Sequence, residues 1–216
     1  MGREELRSTL VADGTSDRML IPILERALRE AVPEGTVLGR PVMADFSRYR
    51  EKPTSLQERL ATAIRDFPCE LLFIHRDAER EPPENRRREI DEAVTAAASI
   101  DRMSGTVPVV PVRMSEAWLL LDEYAIRRAA NNPNGKTPLS LPTATNVESV
   151  SDPKDALHQL LKDASELQGR RRKQFQPHRA AVRVADFIDS LDELRDVPAF
   201  RRLEEDLLSA VRGLGV

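Results

Sequence analysis

Residues 10–20 read Leu10-Val11-Ala12-Asp13-Gly14-Thr15-Ser16-Asp17-Arg18-Met19-Leu20, and this stretch decides the fold. The pattern predicts the end of a buried strand, then a tight acidic turn, then the start of an amphipathic helix. This order places carboxylates at the carboxyl end of a strand, which is the edge where ligands bind in open α/β sheets. The acidic loop is therefore the first candidate for a functional site.

The same order of strand and helix recurs further along the chain. Apolar runs predict four strands, at Leu6–Ala12, Val37–Met43, Glu70–Ile74 and Val107–Val112. The second strand contains Gly39 and Pro41, which places it at a sheet edge. Apolar residues at helical spacing predict a helix after each strand, and the fourth helix is expected to run unbroken from Ser115 to about Ala130. We expect an α/β fold with a mainly parallel open sheet of about four strands and flanking helices.

The remaining sequence predicts a helical appendage. Residues 1–130 form the predicted core, residues 131–152 a long loop rich in Asn, Pro, Thr and Ser, and residues 153–216 a helical extension packed on the core. Three helical patterns make up the extension, at Pro153–Leu167, His178–Leu191 and Pro198–Val211. The basic run Arg170–Lys173 separates the first two patterns, either as a solvated loop or as a contact for a nucleic-acid backbone.

Composition excludes several classes of protein. The 216 residues carry 33 Lys and Arg against 36 Asp and Glu, which gives a net charge of −3. Any polyanion site must therefore be local. The single cysteine, Cys69, excludes a disulfide framework and agrees with a reducing cytosol. No apolar run approaches the ~18 residues of a membrane span, and the charged N-terminus lacks the apolar segment of a signal peptide. We expect a soluble cytoplasmic protein without membrane contacts.

Acidic clusters follow three of the predicted strands. They are Asp13 with Asp17, Asp77 with Glu79, and Glu116 with Asp122. The carboxyl ends of parallel strands meet at one sheet edge, so these carboxylates can converge, and carboxylates without His or Cys suit Mg²⁺ or Mn²⁺. Each cluster also has a simpler interpretation, because Asp, Gly, Thr and Ser form turns and helix caps, and surface turns often carry acidic pairs.

Other candidate motifs carry less weight. Gly135-Lys136-Thr137 imitates the end of a phosphate-binding loop, but the earlier glycine is missing and no strand precedes it, so we reject it. His75 ends a buried strand, which favours a structural histidine over a metal ligand. Arg86-Arg87-Arg88 opens a helix against its dipole, which indicates either an anionic partner or a solvated face.

Taken together, four segments resemble a known family. "VADGTSDRMLIPIL", "LLFIHRDAER", "PVRMSEAWLLLD" and "DPKDALHQLL", in this order, resemble the bacterial domain of unknown function 4276. That domain is a distant relative of the Toprim domain of overcoming-lysogenization-defect nucleases. In Toprim-like proteins a strand–acid–Gly turn and a later strand–Asp-x-Asp turn meet at one sheet edge, here at Asp13-Gly14 and Asp77-x-Glu79. The resemblance covers roughly Leu6 to Leu167.

The resemblance implies Mg²⁺-dependent phosphodiester chemistry, in which the metal polarises the phosphate and lowers the pKa of the attacking water. Asp13 stands where Toprim enzymes have Glu, and Glu79 where they have Asp, which puts the geometry of an octahedral Mg²⁺ shell in question. The catalytic and metal-holding residues implied are Asp13, Asp77 and Glu79. Further metal ligands implied are Asp17 and Glu116, and the phosphate-neutralising residues are Arg76, Arg80 and Arg113.

Two functions follow as hypotheses. The first is a nuclease-like protein that uses Mg²⁺ or Mn²⁺ to act on DNA or RNA in a bacterial cell, serving phage defence together with a protein partner from a defence operon. The second is a non-catalytic Toprim-like module that binds a partner protein or a nucleotide. The sequence predicts no oligomeric state.

Overall fold

The computed structural model describes residues 5–79, 81–98 and 105–215. Its four strands are β1 (Ser8–Val11), β2 (Val42–Met43), β3 (Leu71–His75) and β4 (Gly105–Val109). They form one all-parallel sheet in the order β2-β1-β3-β4. The predicted α/β class and parallel sheet are confirmed, and the second strand lies at an edge as expected.

The two central strands carry the candidate site. Ser8 lies opposite Leu71 and Val11 opposite Ile74, so β1 and β3 end side by side. Every residue of both strands is buried, as expected for nearly continuous apolar runs in a parallel sheet covered on both faces. The loops that leave these two strands therefore emerge next to each other.

Three longer helices accompany the sheet. A 3₁₀ segment (Thr15–Leu20) leads into α1 (Ile21–Ala31), followed by α2 (Leu56–Asp66) and α3 (Pro83–Ala98). A capping box begins α2, because the Ser55 side chain accepts from the Glu58 N–H while the Glu58 side chain accepts from the Ser55 N–H. Leu60 of α2 and Ile90 of α3 join Ile74 in one apolar cluster.

The described chain falls into two compact units. The first takes in the described residues of Met1–Thr15, Leu24–Val110 and Arg202–Val216, and the second consists of Ser16–Ile23 and Pro111–Arg201. The predicted boundaries, with a core of residues 1–130, a loop of 131–152 and an extension of 153–216, stay a prediction. No helix in the described part of the chain has the length and apolarity needed to cross a membrane.

Short helices dominate the second unit. Its α-helices are α4 (Glu123–Ala129), α5 (Pro153–Ala164), α6 (Gly169–Gln174), α7 (Pro177–Ala181), α8 (Asp192–Arg195) and the start of α9 (Pro198–Leu214). Further 3₁₀ segments lie at Ser115–Leu119, Val147–Ser149 and Ala185–Phe187. Trp118 and Phe200 are both buried and meet edge to face, with ring centroids 5.3 Å apart.

Three helix predictions need correction. The helix expected from Ser115 to Ala130 is broken, because Asp122 leaves helical geometry and its side chain caps α4 by accepting from the Ala125 N–H. The helix expected over His178–Leu191 ends at Ala181, and Arg183 beyond it donates to the Ala129 carbonyl. The basic run, expected as a loop when solvated, forms α6.

Candidate functional site

The candidate site lies where β1 and β3 end in the first unit. Asp13 follows β1 by two residues, and Arg76 and Asp77 follow β3 directly. The Arg76 backbone N–H donates to the Val109 carbonyl of β4, which continues the sheet pairing past the end of β3. The sheet therefore fixes the backbone of the loop that carries Arg76 and Asp77.

The Asp13 carboxylate is held by two guanidinium groups. Arg59 Nη1 donates to Oδ1 at 2.8 Å, and Arg76 Nη1 donates to Oδ2 at 2.5 Å. The same Arg59 nitrogen also lies 3.3 Å from the Ala12 carbonyl oxygen. The Asp13 side chain is 45% exposed, against 22% for Arg59 and 21% for Arg76, so the carboxylate sits on the solvent side of two half-buried cations.

The ion pairs continue from Arg76 into α3. Arg76 Nη2 lies 2.9 Å from Glu89 Oε1, and Arg86 Nη1 donates to the other Glu89 oxygen at 3.0 Å. Arg86 Nε also donates to the Asp77 carbonyl at 3.2 Å, which ties α3 back to the loop after β3. The hydrogen bond between the side chains of Arg86 and Glu89 raises the already high pKa of Arg86. Three guanidiniums and two carboxylates thus alternate across the strand ends, and Glu81 and Glu79 add negative charge near Arg86.

The two central arginines keep unused donors. The Nε atoms of Arg59 and Arg76 are buried and have no hydrogen-bond partner among the described residues. A buried guanidinium N–H without an acceptor is unfavourable, because it loses its hydration without replacement. The donors at this site therefore exceed the acceptors that the described chain supplies.

The acidic pair after β3 is placed differently from Asp13. Asp77 Oδ1 lies 3.3 Å from Nε2 of the buried His75, which agrees with the structural role predicted for that histidine. Glu79 is exposed in the turn before α3 and has a left-handed φ of 55°, which non-glycine residues seldom adopt. The Asp77-x-Glu79 pair thus has one carboxylate beside a histidine and one at the surface.

The other predicted site residues belong to the second unit or lie beyond the described residues. Asp17, Glu116 and Arg113 belong to the second unit. Asp17 and Glu116 are buried, and Asp17 Oδ1 lies 3.3 Å from the Ser16 hydroxyl. Arg113 has a left-handed φ of 72°. Arg80 lies outside the described residues, so its expected role stays a prediction.

These donors do not fit the metal ion that the resemblance implies. Across residues 5–79, 81–98 and 105–215, no group of three His, Cys, Asp or Glu side chains is placed to hold a metal ion. Each Asp13 oxygen already accepts from a guanidinium, so a divalent cation bound there would lie close to two positive charges. Mg²⁺ also demands near-ideal octahedral oxygen geometry. The described donors therefore do not form the oxygen shell that Mg²⁺ requires.

Sequence reasoning missed Arg59, Arg86 and Glu89. Arg59 occupies an ordinary helical position 46 residues after Asp13, and no local pattern marks it. The basic run at the start of α3 was a usable signal for Arg86, since an anionic partner was one of its two interpretations, the other being a solvated face. Its neighbour Arg87 instead pairs with Asp206 of α9 at 2.6 Å.

The rejected phosphate-loop motif has its own partner in the second unit. The N–H groups of Lys136 and Thr137 both donate to Glu166 Oε1, at 2.5 and 2.6 Å. These bonds hold the pKa of Glu166 below its usual value. The buried Arg127 donates to the Thr137 carbonyl and pairs with Glu123. The motif therefore fastens a loop to the end of α5.

A cavity of about 500 Å³ also lies in the second unit, between the loop around Leu139–Pro142 and the α5 residues Ala156–Asp163. Its walls are mixed, with leucine and proline side chains beside Gln159 and Asn146. None of the predicted site residues lines it. The cavity is therefore separate from the chemistry that the sequence predicts.

Comparisons with protein-family models, curated proteins and solved structures give no match to this chain. The resemblance to Toprim-like proteins and to the domain of unknown function 4276 stays a prediction.

Proposed function

We propose that the protein is a binding module that takes up a phosphate group of a nucleotide at the ends of β1 and β3, without a metal ion of its own. The observation that carries this proposal is the capture of one exposed carboxylate, Asp13, by Arg59 and Arg76. This is the non-catalytic alternative of the two functions that the sequence suggests. It requires a site that prefers anions.

Two guanidiniums directed at one oxyanion are a common way to bind phosphate. Arginine offers several N–H donors in a rigid plane, and its bonds to carboxylate or phosphate are charge-assisted. A phosphate presents more acceptor oxygens and more negative charge than the carboxylate of Asp13. The pair Arg59 and Arg76 can therefore exchange Asp13 for a phosphate group.

In this proposal Asp13 is an internal competitor of the ligand. The exposed Asp13 side chain can turn towards solvent, whereas the Arg59 and Arg76 side chains are largely buried and therefore more restricted. Glu89 keeps Arg76 in place from the opposite side through a 2.9 Å contact. The backbone hydrogen bond of Arg76 to Val109 adds further rigidity. The site is thereby preorganised, which lowers the entropic cost of binding.

The proposal is tested by calorimetric titration of ATP in the presence of EDTA, so that divalent ions are absent. We expect wild type to bind, and Arg76→Gln to lose roughly tenfold or more in affinity, since a hydrogen bond to a charged group contributes about 1.5–3 kcal/mol. Asp13→Asn removes the competing charge and should bind more tightly. Arg65→Gln is the matched control, because Arg65 lies on the same helix as Arg59 but pairs with Asp66.

The metal-dependent hypothesis makes the opposite prediction for Asp13. If Asp13 holds Mg²⁺ or Mn²⁺, Asp13→Asn weakens metal binding and abolishes cleavage of DNA and tRNA. Saturable Mn²⁺ binding that is lost in Asp77→Ala, together with metal-dependent cleavage by wild type, would overturn our proposal in favour of the nuclease. Wild-type protein that binds neither ATP nor inorganic phosphate would also overturn our proposal.

A further inference from the structure

One segment of the second unit is basic throughout. Residues 167–185 contain no Asp or Glu and carry six cations, Arg170, Arg171, Arg172, Lys173, Arg179 and Arg183. The whole chain has a net charge of −3, so this segment departs strongly from the average. Such a concentration of one sign creates a local potential that can attract an oppositely charged partner.

Two of the six cations hold the segment in place. Arg172 Nη2 lies 2.8 Å from Asp163 Oδ1 on α5, and its Nη1 donates to the Lys162 carbonyl at 3.0 Å. Arg183 donates to the Ala129 carbonyl at 2.7 Å, at the end of α4. The basic helix α6 is thus fastened to a neighbouring helix through one arginine.

The other four cations have no acidic partner among the described residues. Arg170, Arg171 and Lys173 on α6 and Arg179 on α7 are exposed, and none pairs with a carboxylate within the described residues. We call these four residues the basic face. Their local excess of positive charge is available to an anionic partner.

The adjoining helix α5 carries Lys154 and Lys162 against Asp155 and Asp163, so it adds no net charge to the basic segment. His158 lies on α5, which packs against α7, and its pKa is lowered first by burial and then by Lys154 and Lys162. His178 of α7 lowers it further, whereas Asp155 opposes these effects.

We propose that the basic face binds the phosphate backbone of nucleic acid. Backbone contacts by Lys and Arg require no base recognition and supply most of non-specific binding. An anionic membrane is the other polyanion to consider, but a helix that lies on a lipid surface needs an apolar side to bury. The sequence of α6, Gly-Arg-Arg-Arg-Lys-Gln, offers none, and none of its residues is buried. The inference does not depend on the function proposed for the strand ends.

The test is fluorescence anisotropy with a labelled 20-base-pair DNA duplex and a labelled single-stranded RNA of 20 nucleotides, over a range of salt concentrations. The variant replaces Arg170, Arg171 and Lys173 with Gln. The control replaces Arg48, Arg50 and Lys52 with Gln, which removes the same number of exposed arginines and lysines from the first unit. Circular dichroism checks that both variants fold.

We expect the basic-face variant to bind duplex DNA more weakly at low salt, and the slope of log K against log salt to become shallower by about 2.7 for three lost phosphate contacts. With single-stranded RNA the change in slope should be about 2. The control should bind as wild type does. Equal weakening in both variants would overturn the proposal, as would wild type that fails to bind either probe at 50 mM salt. Binding to phosphatidylserine vesicles in place of both probes would overturn it in favour of a membrane partner.

Discussion

The aromatic pair in the second unit leads to a prediction about the free energy of unfolding, which the fluorescence of Trp118 can measure. Trp118 is 1% exposed and Phe200 is fully buried, and their rings meet at 89° with centroids 5.3 Å apart. We predict that Phe200→Ala removes a large share of the folding free energy. It deletes a whole buried ring and the favourable edge-to-face contact with Trp118.

The expected size follows from that burial. Truncation of a buried phenylalanine to alanine costs about 3–5 kcal/mol, against a total of about 5–15 kcal/mol for a typical domain. We take about 4 kcal/mol for Phe200→Ala. With a urea m-value of about 2.5 kcal/mol/M, the midpoint of unfolding should fall by about 1.6 M.

Trp118 is the single tryptophan of the chain, so its fluorescence follows unfolding next to the substituted residue. Phe200→Leu keeps most of the volume and should cost clearly less than the alanine variant. Val182→Ala truncates an exposed apolar side chain in the same unit and should stay within about 0.5 kcal/mol of wild type. A loss below about 1 kcal/mol for Phe200→Ala would refute the reasoning, since the ring could not then be part of a close-packed core.

Two further predictions concern a glycine and a carboxylate. Gly135→Ala should destabilise the protein by about 1–3 kcal/mol in urea unfolding, because the added Cβ would lie 2.6 Å from two side-chain nitrogens. Gly213→Ala in α9 is the control, because a Cβ added there would contact nothing within 4 Å, and it should not destabilise the protein. Equal losses of stability in both variants would contradict the crowding argument. The hydrogen bond from Arg65, and then that from Tyr49, lowers the pKa of Asp66 to about 2. The stability that Asp66 contributes is therefore present above about pH 4 and lost as the pH falls through about 2. An NMR titration should place its midpoint near 2 and shift it upward in Tyr49→Phe, and a midpoint near 3.8 in wild type would contradict this prediction.

The sheet could be predicted from sequence because its strands are short apolar runs bounded by clear breaks. The run before Arg76 is buried on both faces, and a short apolar run with polar residues on either side is typical of a strand inside a parallel sheet. Glycine and proline likewise marked β2 as an edge. These signals are local, so one sequence suffices to find them.

The helix breaks and the site contacts could not be predicted in the same way. Asp122 interrupts a continuous apolar pattern, because its side chain accepts from the Ala125 N–H and caps α4. The sequence pattern alone does not show whether an aspartate will cap a new helix or lie on the surface of a continuous one. Arg59 reaches Asp13 across 46 positions of the chain, so only the tertiary fold brings them together. The position of the acidic loop at a strand end was thus predictable from sequence, whereas its cationic neighbours were not.

The two outer strands of the sheet have a consequence for behaviour at high concentration. The sheet ends in β2, which has two residues, and in β4, which contains Pro108. The backbone groups of Gly105 and Val109 form hydrogen bonds towards β3. Because this direction alternates along a strand, Pro108 faces the open edge of the sheet, where it has no N–H to donate. Neither edge therefore offers a long row of donors to a strand from another molecule, and the folded chain should resist edge-to-edge aggregation.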